Sequence, residues 1–117
     1  MIAEMPENKP QISYDDFAKL DMRIGTVVTA ELVPDTDKLI KCRVNFGELG
    51  ERTIVSGIAE WISQADLVGR QFPYVVNLAP RVIRGIASEG MILAIRNRDA
   101  ISLLYPEADV EPGSHIS

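Results

Sequence analysis

Short strand-like segments separated by turn residues dominate the chain from residue 22 onward, and few folds accommodate such a pattern. Residues 39–46 alternate between apolar and polar side chains, which is the period of a strand with one buried face. The polar positions include Lys41 and Arg43, so the solvent face of this strand is predicted to be basic. Further strands are predicted at 22–33, 52–56, 71–78, 91–96 and 101–105. The chain is therefore predicted to be all-β.

Helical signals are confined to two short stretches. Residues 14–20 follow Ser13, a residue type that caps helix N-termini, and residues 58–67 carry apolar residues that suit one or two helical turns. Five or six short strands with one helical insert describe a small barrel, and the five-stranded OB-type barrel is the commonest fit. An SH3-like barrel or a small sandwich fits nearly as well. Gly25 interrupts the first strand, as expected where a barrel bends sharply.

The length of 117 residues suits one domain, predicted at 12–117 after a flexible tail at 1–11. A single cysteine, Cys42, and a single histidine, His115, exclude a disulfide framework and a Cys/His zinc site within one chain. No cofactor is therefore expected. The longest apolar run, 91–95, is too short to span a membrane, and no signal peptide is visible, so we expect a cytoplasmic protein.

The negative charge is concentrated at the two ends of the chain. The formal net charge is −5, yet segment 77–98 holds four arginines against one acidic residue, Glu89. Within it, Arg81 and Arg84 lie three residues apart. Guanidinium groups match phosphate oxygens in geometry, and loops beside an OB barrel are where that fold binds nucleic acid. The alternative is ordinary solvated charge, and charge alone does not decide between the two.

Sequence patterns typical of enzymes are missing from the chain. It contains no Gly-x-Ser-x-Gly elbow, no Ser-x-x-Lys pair and no phosphate-binding Gly-rich loop, and its histidine is third from the C-terminus. We therefore predict that the chain is not an enzyme.

Seven motifs in order resemble the tRNA-binding domain family. They are Asp-Met-Arg-Ile-Gly (21–25), Pro-Asp-Thr-Asp-Lys-Leu (34–39), Arg-Thr-Ile-Val-Ser-Gly-Ile (52–58), Leu-Val-Gly-Arg (67–70), Asn-Leu-Ala-Pro-Arg (77–81), Ile-Arg-Gly (83–85) and Ser-Glu-Gly-Met-Ile-Leu-Ala (88–94). That family includes the C-terminal region of methionyl-tRNA synthetases, stand-alone tRNA-binding proteins, the endothelial monocyte-activating polypeptide and CsaA-type chaperones. The resemblance implies a homodimeric OB-fold module that recognises tRNA by its shape and its sugar-phosphate backbone. It also implies an accessory role to methionyl-tRNA synthetase.

The resemblance also implies which residues contact tRNA. Positions that match the family's binding-face motifs are Lys38, Asn77, Arg81, Arg84, Ser88 and Met91, with Ser56 a weaker candidate. Lys41 and Arg43 join them through the predicted basic strand face. Val33 and Ala79 stand where many members have histidine and lysine. The alternative is a CsaA-like peptide-binding chaperone dimer, a partner class that suits an acidic chain better. No membrane partner is expected.

Overall fold

The computed structural model describes residues 8–117. Within that range the chain forms one short helix, α1 (Tyr14–Phe17), two single-turn 3-10 helices and ten strands. In chain order the strands are β1 (Met22–Leu32), β2 (Ile40–Asn45), β3 (Glu51–Ser56), β4 (Gln71–Val75), β5 (Arg81–Ile83), β6 (Ile86–Ser88), β7 (Met91–Ile92), β8 (Ala94–Asn97), β9 (Ala100–Leu103) and β10 (His115–Ile116). Of the predicted tail, residues 8–11 are exposed and lack regular structure; the rest lies outside the described residues.

Five antiparallel strands form a nearly closed barrel-like sheet in the order β3-β2-β1-β4-β7. The long strand β1 pairs with β4 through its first half and with β2 through its second half, and its register shifts between Val27 and Thr29. β3 is the first strand in this order, and Glu89 lies against its outer edge. Its N–H donates to the Thr53 carbonyl at 2.8 Å, and its carboxylate accepts the Thr53 N–H at 3.1 Å. The predicted five-stranded barrel is confirmed.

The core is built on the alternation predicted for β2. Ile40, Cys42 and Val44 are buried, while Lys41 and Arg43 lie on the solvent side. Burying apolar surface contributes about 25 cal/mol per Å², so this inward face stabilises the fold.

Strand β4 differs from β2 in its burial, because Gln71 through Val75 are all buried. The strand lies between β1 and β7, and the C-terminal segment covers its beginning. The Gln71 amide donates to the Thr26 hydroxyl at 3.0 Å and to the Val110 carbonyl, and its oxygen accepts the Val110 N–H at 3.0 Å. Because the strand is covered on both faces, the side chains of both faces are buried.

Two segments form different elements from those predicted. Residues 77–91, expected as a loop, contain the antiparallel hairpin β5–β6. Residues 91–96, expected as one strand, form β7 and β8 with Leu93 between them. Helix α1 is shorter than predicted, but its cap is confirmed, since the Ser13 hydroxyl accepts the Asp16 N–H at 3.2 Å.

Cys42 is expected to be unreactive in the folded protein. Burial raises the pKa of its thiol from 9.0 to about 11. The thiolate is the nucleophile, so this shift alone lowers its population about 100-fold at neutral pH. Labelling with an aromatic disulfide at pH 8 should therefore be at least about 100-fold slower in buffer than in concentrated urea. Equal rates in the two solvents would contradict a buried Cys42.

Candidate functional site

The hairpin β5–β6 ends in a tight turn that presents an arginine. Ile83 pairs with Ile86, so the turn consists of Arg84 and Gly85, with φ angles of 52° and 78°. Two successive positive φ values are typical of the type I′ turn, whose twist matches that of the flanking strands. Glycine adopts this conformation without strain, whereas a positive φ is uncommon for arginine. The turn holds the Arg84 side chain at an exposed tip.

A second hairpin, β8–β9, also carries an arginine with a positive φ in its turn. Asn97 pairs with Ala100, and the intervening turn holds Arg98 at a φ of 58°. Arg98 is exposed, as is every residue of β8. Two separate hairpins therefore each end in an exposed arginine with left-handed backbone.

A groove of about 480 Å³ runs between the end of β3, strand β5 and the β7–β8 segment. Its floor is aliphatic and its polar lining consists of Ser56, Arg81 and Arg96. The apolar lining residues are Leu39, Val55, Ile58, Ile83, Met91, Ile92 and Ala94. A smaller cavity of about 50 Å³ adjoins it and shares Val55, Arg81, Ile83 and Met91 with it. The two arginines come from different hairpins, so the groove depends on both.

The arginines around the groove carry uncompensated charge. Among residues 8–117, no ion pair involves any of the four arginines of segment 77–98, or Lys38. Lys41 and Arg43 differ, because the Lys41 ammonium lies 3.2 Å from the Glu31 carboxylate and the Arg43 guanidinium lies 3.5 Å from that of Glu51. The charges of Lys41 and Arg43 are therefore partly neutralised, whereas the arginines of segment 77–98 have no carboxylate partner among residues 8–117.

The structure brings three of the predicted site residues together and separates the others. Ser56, Arg81 and Met91 line the groove. Arg84 lies at the tip of the β5–β6 hairpin, and the exposed Lys38 directly precedes Leu39, which lines the groove. Lys41 and Arg43 project from the solvent face of β2.

The two remaining predicted residues, Asn77 and Ser88, form hydrogen bonds within the protein. The Asn77 amide accepts the Asp21 N–H at 2.8 Å and donates to the Lys19 carbonyl at 2.7 Å, which ties the start of β1 to the end of β4. Ser88 is 4% exposed, and its hydroxyl accepts the Val55 N–H at 2.9 Å and donates to the Gly90 carbonyl at 3.2 Å. Ser88 therefore supports a groove residue, Val55, whereas Asn77 ties together residues outside the groove lining.

Replacing Ser88 by alanine is expected to lower the free energy of unfolding by about 2 kcal/mol. The substitution leaves the Val55 N–H buried without an acceptor, and an unsatisfied buried donor costs roughly 1–3 kcal/mol. Urea denaturation followed by circular dichroism measures the change. Ser102→Ala on the exposed β9 position is the matched control and should stay within about 0.5 kcal/mol. Equal losses in the two variants would contradict the role given to the Ser88 hydroxyl.

Arg96 was not among the predicted site residues, although it lines the groove beside Arg81. The available signal was the excess of arginine in segment 77–98. That signal does not distinguish a groove residue from a solvated one, because the distinction depends on where the fold places β8.

Comparison with known proteins identifies the family. The family model described as "Putative tRNA binding domain" matches residues 22–115. The chain belongs to this tRNA-binding domain family. Among curated relatives, it is 48% identical over 109 residues to the methionine–tRNA ligase of Parabacteroides distasonis and 52% identical over 112 residues to that of Flavobacterium psychrophilum. These alignments cover 92% and 93% of this chain but only 16% of each ligase.

Solved structures with a similar fold include a MetRS-related protein and a CsaA chaperone. A MetRS-related protein from Pyrococcus horikoshii is 37% identical, with a TM-score of 0.88 over 93% of this chain and 100% of that one. The chaperone CsaA from Bacillus anthracis is 34% identical, with a TM-score of 0.84 over 92% of this chain and 100% of that one. Within residues 8–117, no helix has the length and apolar character needed to cross a membrane.

Proposed function

We propose that this tRNA-binding domain is a non-catalytic module that binds tRNA by its shape and sugar-phosphate backbone. The observation that carries the proposal is that Arg81 and Arg96 in the groove lining, and Arg84 at the β5–β6 tip, pair with no carboxylate among residues 8–117. Guanidinium groups bind phosphate through paired N–H donors, and an uncompensated cluster attracts a polyanion even when the net charge of the protein is negative.

The predicted residues divide into contacts and supports in this proposal. Arg81, Arg84 and Lys38 contact phosphates. Met91 and Ser56 contact the RNA within the groove. The supports are Asn77 and Ser88, which hold the hairpin and the adjoining strands, while the partly neutralised Lys41 and Arg43 extend the surface more weakly.

A salt titration of tRNA binding tests the proposal. Each phosphate that a cation neutralises releases counterions, and log K falls with log salt by about 0.7 to 0.9 per contact. With roughly 3–5 such contacts per subunit, we expect a slope of about −2 to −5 for total tRNA in filter binding at several salt concentrations. A slope near zero, or no binding at low salt, would reject the proposal.

We also propose that the protein is a homodimer that uses the surface around α1. Helix α1 buries none of its own side chains, and the large apolar residues beside it are exposed: Ile12, Tyr14, Phe17 and Leu20. A four-residue helix is not stable by itself in water, so an apolar face of this kind favours a partner that covers it. A second copy would double the phosphate contacts available to one RNA.

Sedimentation equilibrium tests the dimer. The wild-type protein should sediment at twice the monomer mass, and Tyr14→Ser/Phe17→Ser should shift it towards the monomer. Val82→Ser, which replaces a residue 73% exposed on β5, is the control and should leave the dimer intact. A monomeric wild-type protein at micromolar concentration would reject this part of the proposal.

We propose a cytoplasmic role beside methionyl-tRNA synthetase. The matched region makes up 16% of the methionine–tRNA ligases named above. We propose that this chain supplies tRNA affinity to such a catalytic unit. Adding the chain to a methionine–tRNA ligase lacking the matched region should lower the KM for tRNA; an unchanged KM would contradict this role.

The second candidate function is a peptide-binding chaperone. It is favoured by the likeness to two CsaA chaperones, from Bacillus anthracis and Picrophilus torridus, and by the aliphatic floor of the groove. Suppression of the aggregation of an unfolded protein, measured beside a tRNA gel shift, separates the two functions. Suppression without a gel shift would favour the chaperone.

A further inference from the structure

We infer that the groove takes an unpaired nucleotide of the bound RNA, with its base against the aliphatic floor and its flanking phosphates on Arg81 and Arg96. The inference rests on the proposed function. It adds that the RNA segment in the groove is unpaired, and that the β8–β9 hairpin helps to bind it through Arg96.

The size and lining of the groove suit one nucleotide. Its volume of about 480 Å³ lies within the range of roughly 300–1,000 Å³ that small-ligand sites occupy. Val55, Ile83 and Met91 are apolar and touch both the groove and the cavity beside it. No aromatic side chain of residues 8–117 lines it, so a base would be held by van der Waals contact rather than by stacking. Bases paired within an A-form helix are not accessible to such a groove, whereas those of loops and bulges are.

The two arginines are placed to hold the phosphates on either side of that base. Arg81 belongs to β5 and Arg96 to β8, so they reach the groove from different hairpins. Among the residues that the structure describes, none in the lining is acidic. Successive phosphates of one nucleotide step would each meet a guanidinium, and charge-assisted hydrogen bonds of this kind are about twice as strong as neutral ones. The geometry thus makes Arg96 a binding residue.

The edge of β3 disfavours the competing occupant, an extended peptide. Peptides commonly bind by adding a strand to a sheet edge whose N–H groups are unpaired. On β3, the outward N–H of Thr53 already donates to the Glu89 carboxylate and that of Val55 to the Ser88 hydroxyl. These bonds leave neither group for a peptide backbone, while a nucleotide requires neither.

Methyl NMR of the protein labelled with carbon-13 at its methionine methyl groups tests the inference directly. Met91 lies in the groove and is 43% exposed, whereas Met22 lies in β1 away from it and serves as the internal reference. The uridine tetranucleotide and total tRNA should each shift the Met91 resonance and leave that of Met22 unchanged. An abasic tetranucleotide should produce a clearly smaller shift, because it lacks the ring that contacts the methyl group.

A pair of variants on the same hairpin provides the control. Arg96→Gln should raise the Kd for the uridine tetranucleotide about tenfold, the loss expected for one charge-assisted contact. Arg98→Gln removes the same charge at the hairpin tip, outside the groove lining, and should change that Kd less than about threefold. Equal effects would contradict a specific role for Arg96.

The possible results separate this inference from the proposed function. If tRNA binds with the expected salt dependence but the Met91 resonance does not move, the groove stays empty and the inference fails while the function stands. If tRNA does not bind at all, the proposed function fails and the inference with it. If an extended peptide moves the Met91 resonance and the tetranucleotide does not compete, the occupant is a peptide and the inference is overturned.

Discussion

The double substitution Arg81→Ala/Arg84→Asn is expected to weaken tRNA binding about 100-fold. Neither side chain has an ion-pair partner among residues 8–117, so each is available to a phosphate. A hydrogen bond to a charged group contributes roughly 1.5 kcal/mol or more, which is about tenfold in affinity, and two such contacts multiply. The slope of log K against log salt should become shallower by about 1.4 to 1.8, because two neutralised phosphates are lost.

Asparagine is chosen at position 84 so that the substitution changes tRNA binding without disturbing the turn. Arg84 has a φ of 52°, a conformation that asparagine tolerates better than most residues, so the β5–β6 turn should persist. Circular dichroism and the urea midpoint should therefore match the wild type. Any loss of tRNA affinity then reports the missing guanidinium groups rather than a disordered hairpin.

The matched control removes the same charge from the face of β2. Lys41→Ala/Arg43→Ala should weaken tRNA binding only about threefold, because both cations are already partly neutralised by carboxylates. Exposed ion pairs of this type contribute little to stability, so the control should fold normally. If the Arg81/Arg84 variant binds tRNA as the wild type does, or if the Lys41/Arg43 variant binds more weakly than it, the tRNA interface does not lie at the groove.

Gly25→Ala is expected to lower the free energy of unfolding by about 3 kcal/mol, a large part of the stability of a domain this size. A Cβ at position 25 would overlap the Val44 Cγ1 atom and lie 2.6 Å from Cε1 of the Phe46 ring. Both neighbours are fully buried, so neither can move aside without disturbing the core. Urea denaturation gives the size of the loss.

Gly57 provides the control for this substitution. A Cβ there would meet only a Leu39 methyl group, at 3.9 Å, which is ordinary van der Waals contact. We expect Gly57→Ala to stay within about 0.5 kcal/mol of the wild type, in the range of ordinary surface substitutions. If Gly25→Ala and Gly57→Ala are equally stable, the close packing of β1 against β2 is not what requires glycine.

Local sequence patterns predicted the parts of the fold that depend on near neighbours. The alternation of residues 39–46 located β2 and its buried face, and Ser13 located the start of α1. The β5–β6 hairpin was missed because three-residue strands carry too few side chains to show a period. The exposure of β8 was also missed. Its partner β9 forms a sheet separate from the barrel, and no pattern within the segment shows that separation.

The candidate site was predicted in composition but not in arrangement. The arginine-rich segment and its family motifs pointed to Arg81 and Arg84. They also pointed to Ser88, whose hydroxyl is used by Val55, a residue 33 positions away in the chain. No pattern within the segment could reveal that bond, because its partner belongs to another strand.

The sequence by itself determined that the chain is a small all-β domain with an arginine-rich segment, because side-chain period and local charge are properties of neighbouring residues. Only the tertiary structure decided which cationic side chains remain available to bind phosphate. Arg43 approaches Glu51 across two paired strands, while Arg81 and Arg96 reach one groove from two hairpins. Coulomb and hydrogen-bond energies depend on distances between atoms, and those distances exist only once the strands have paired.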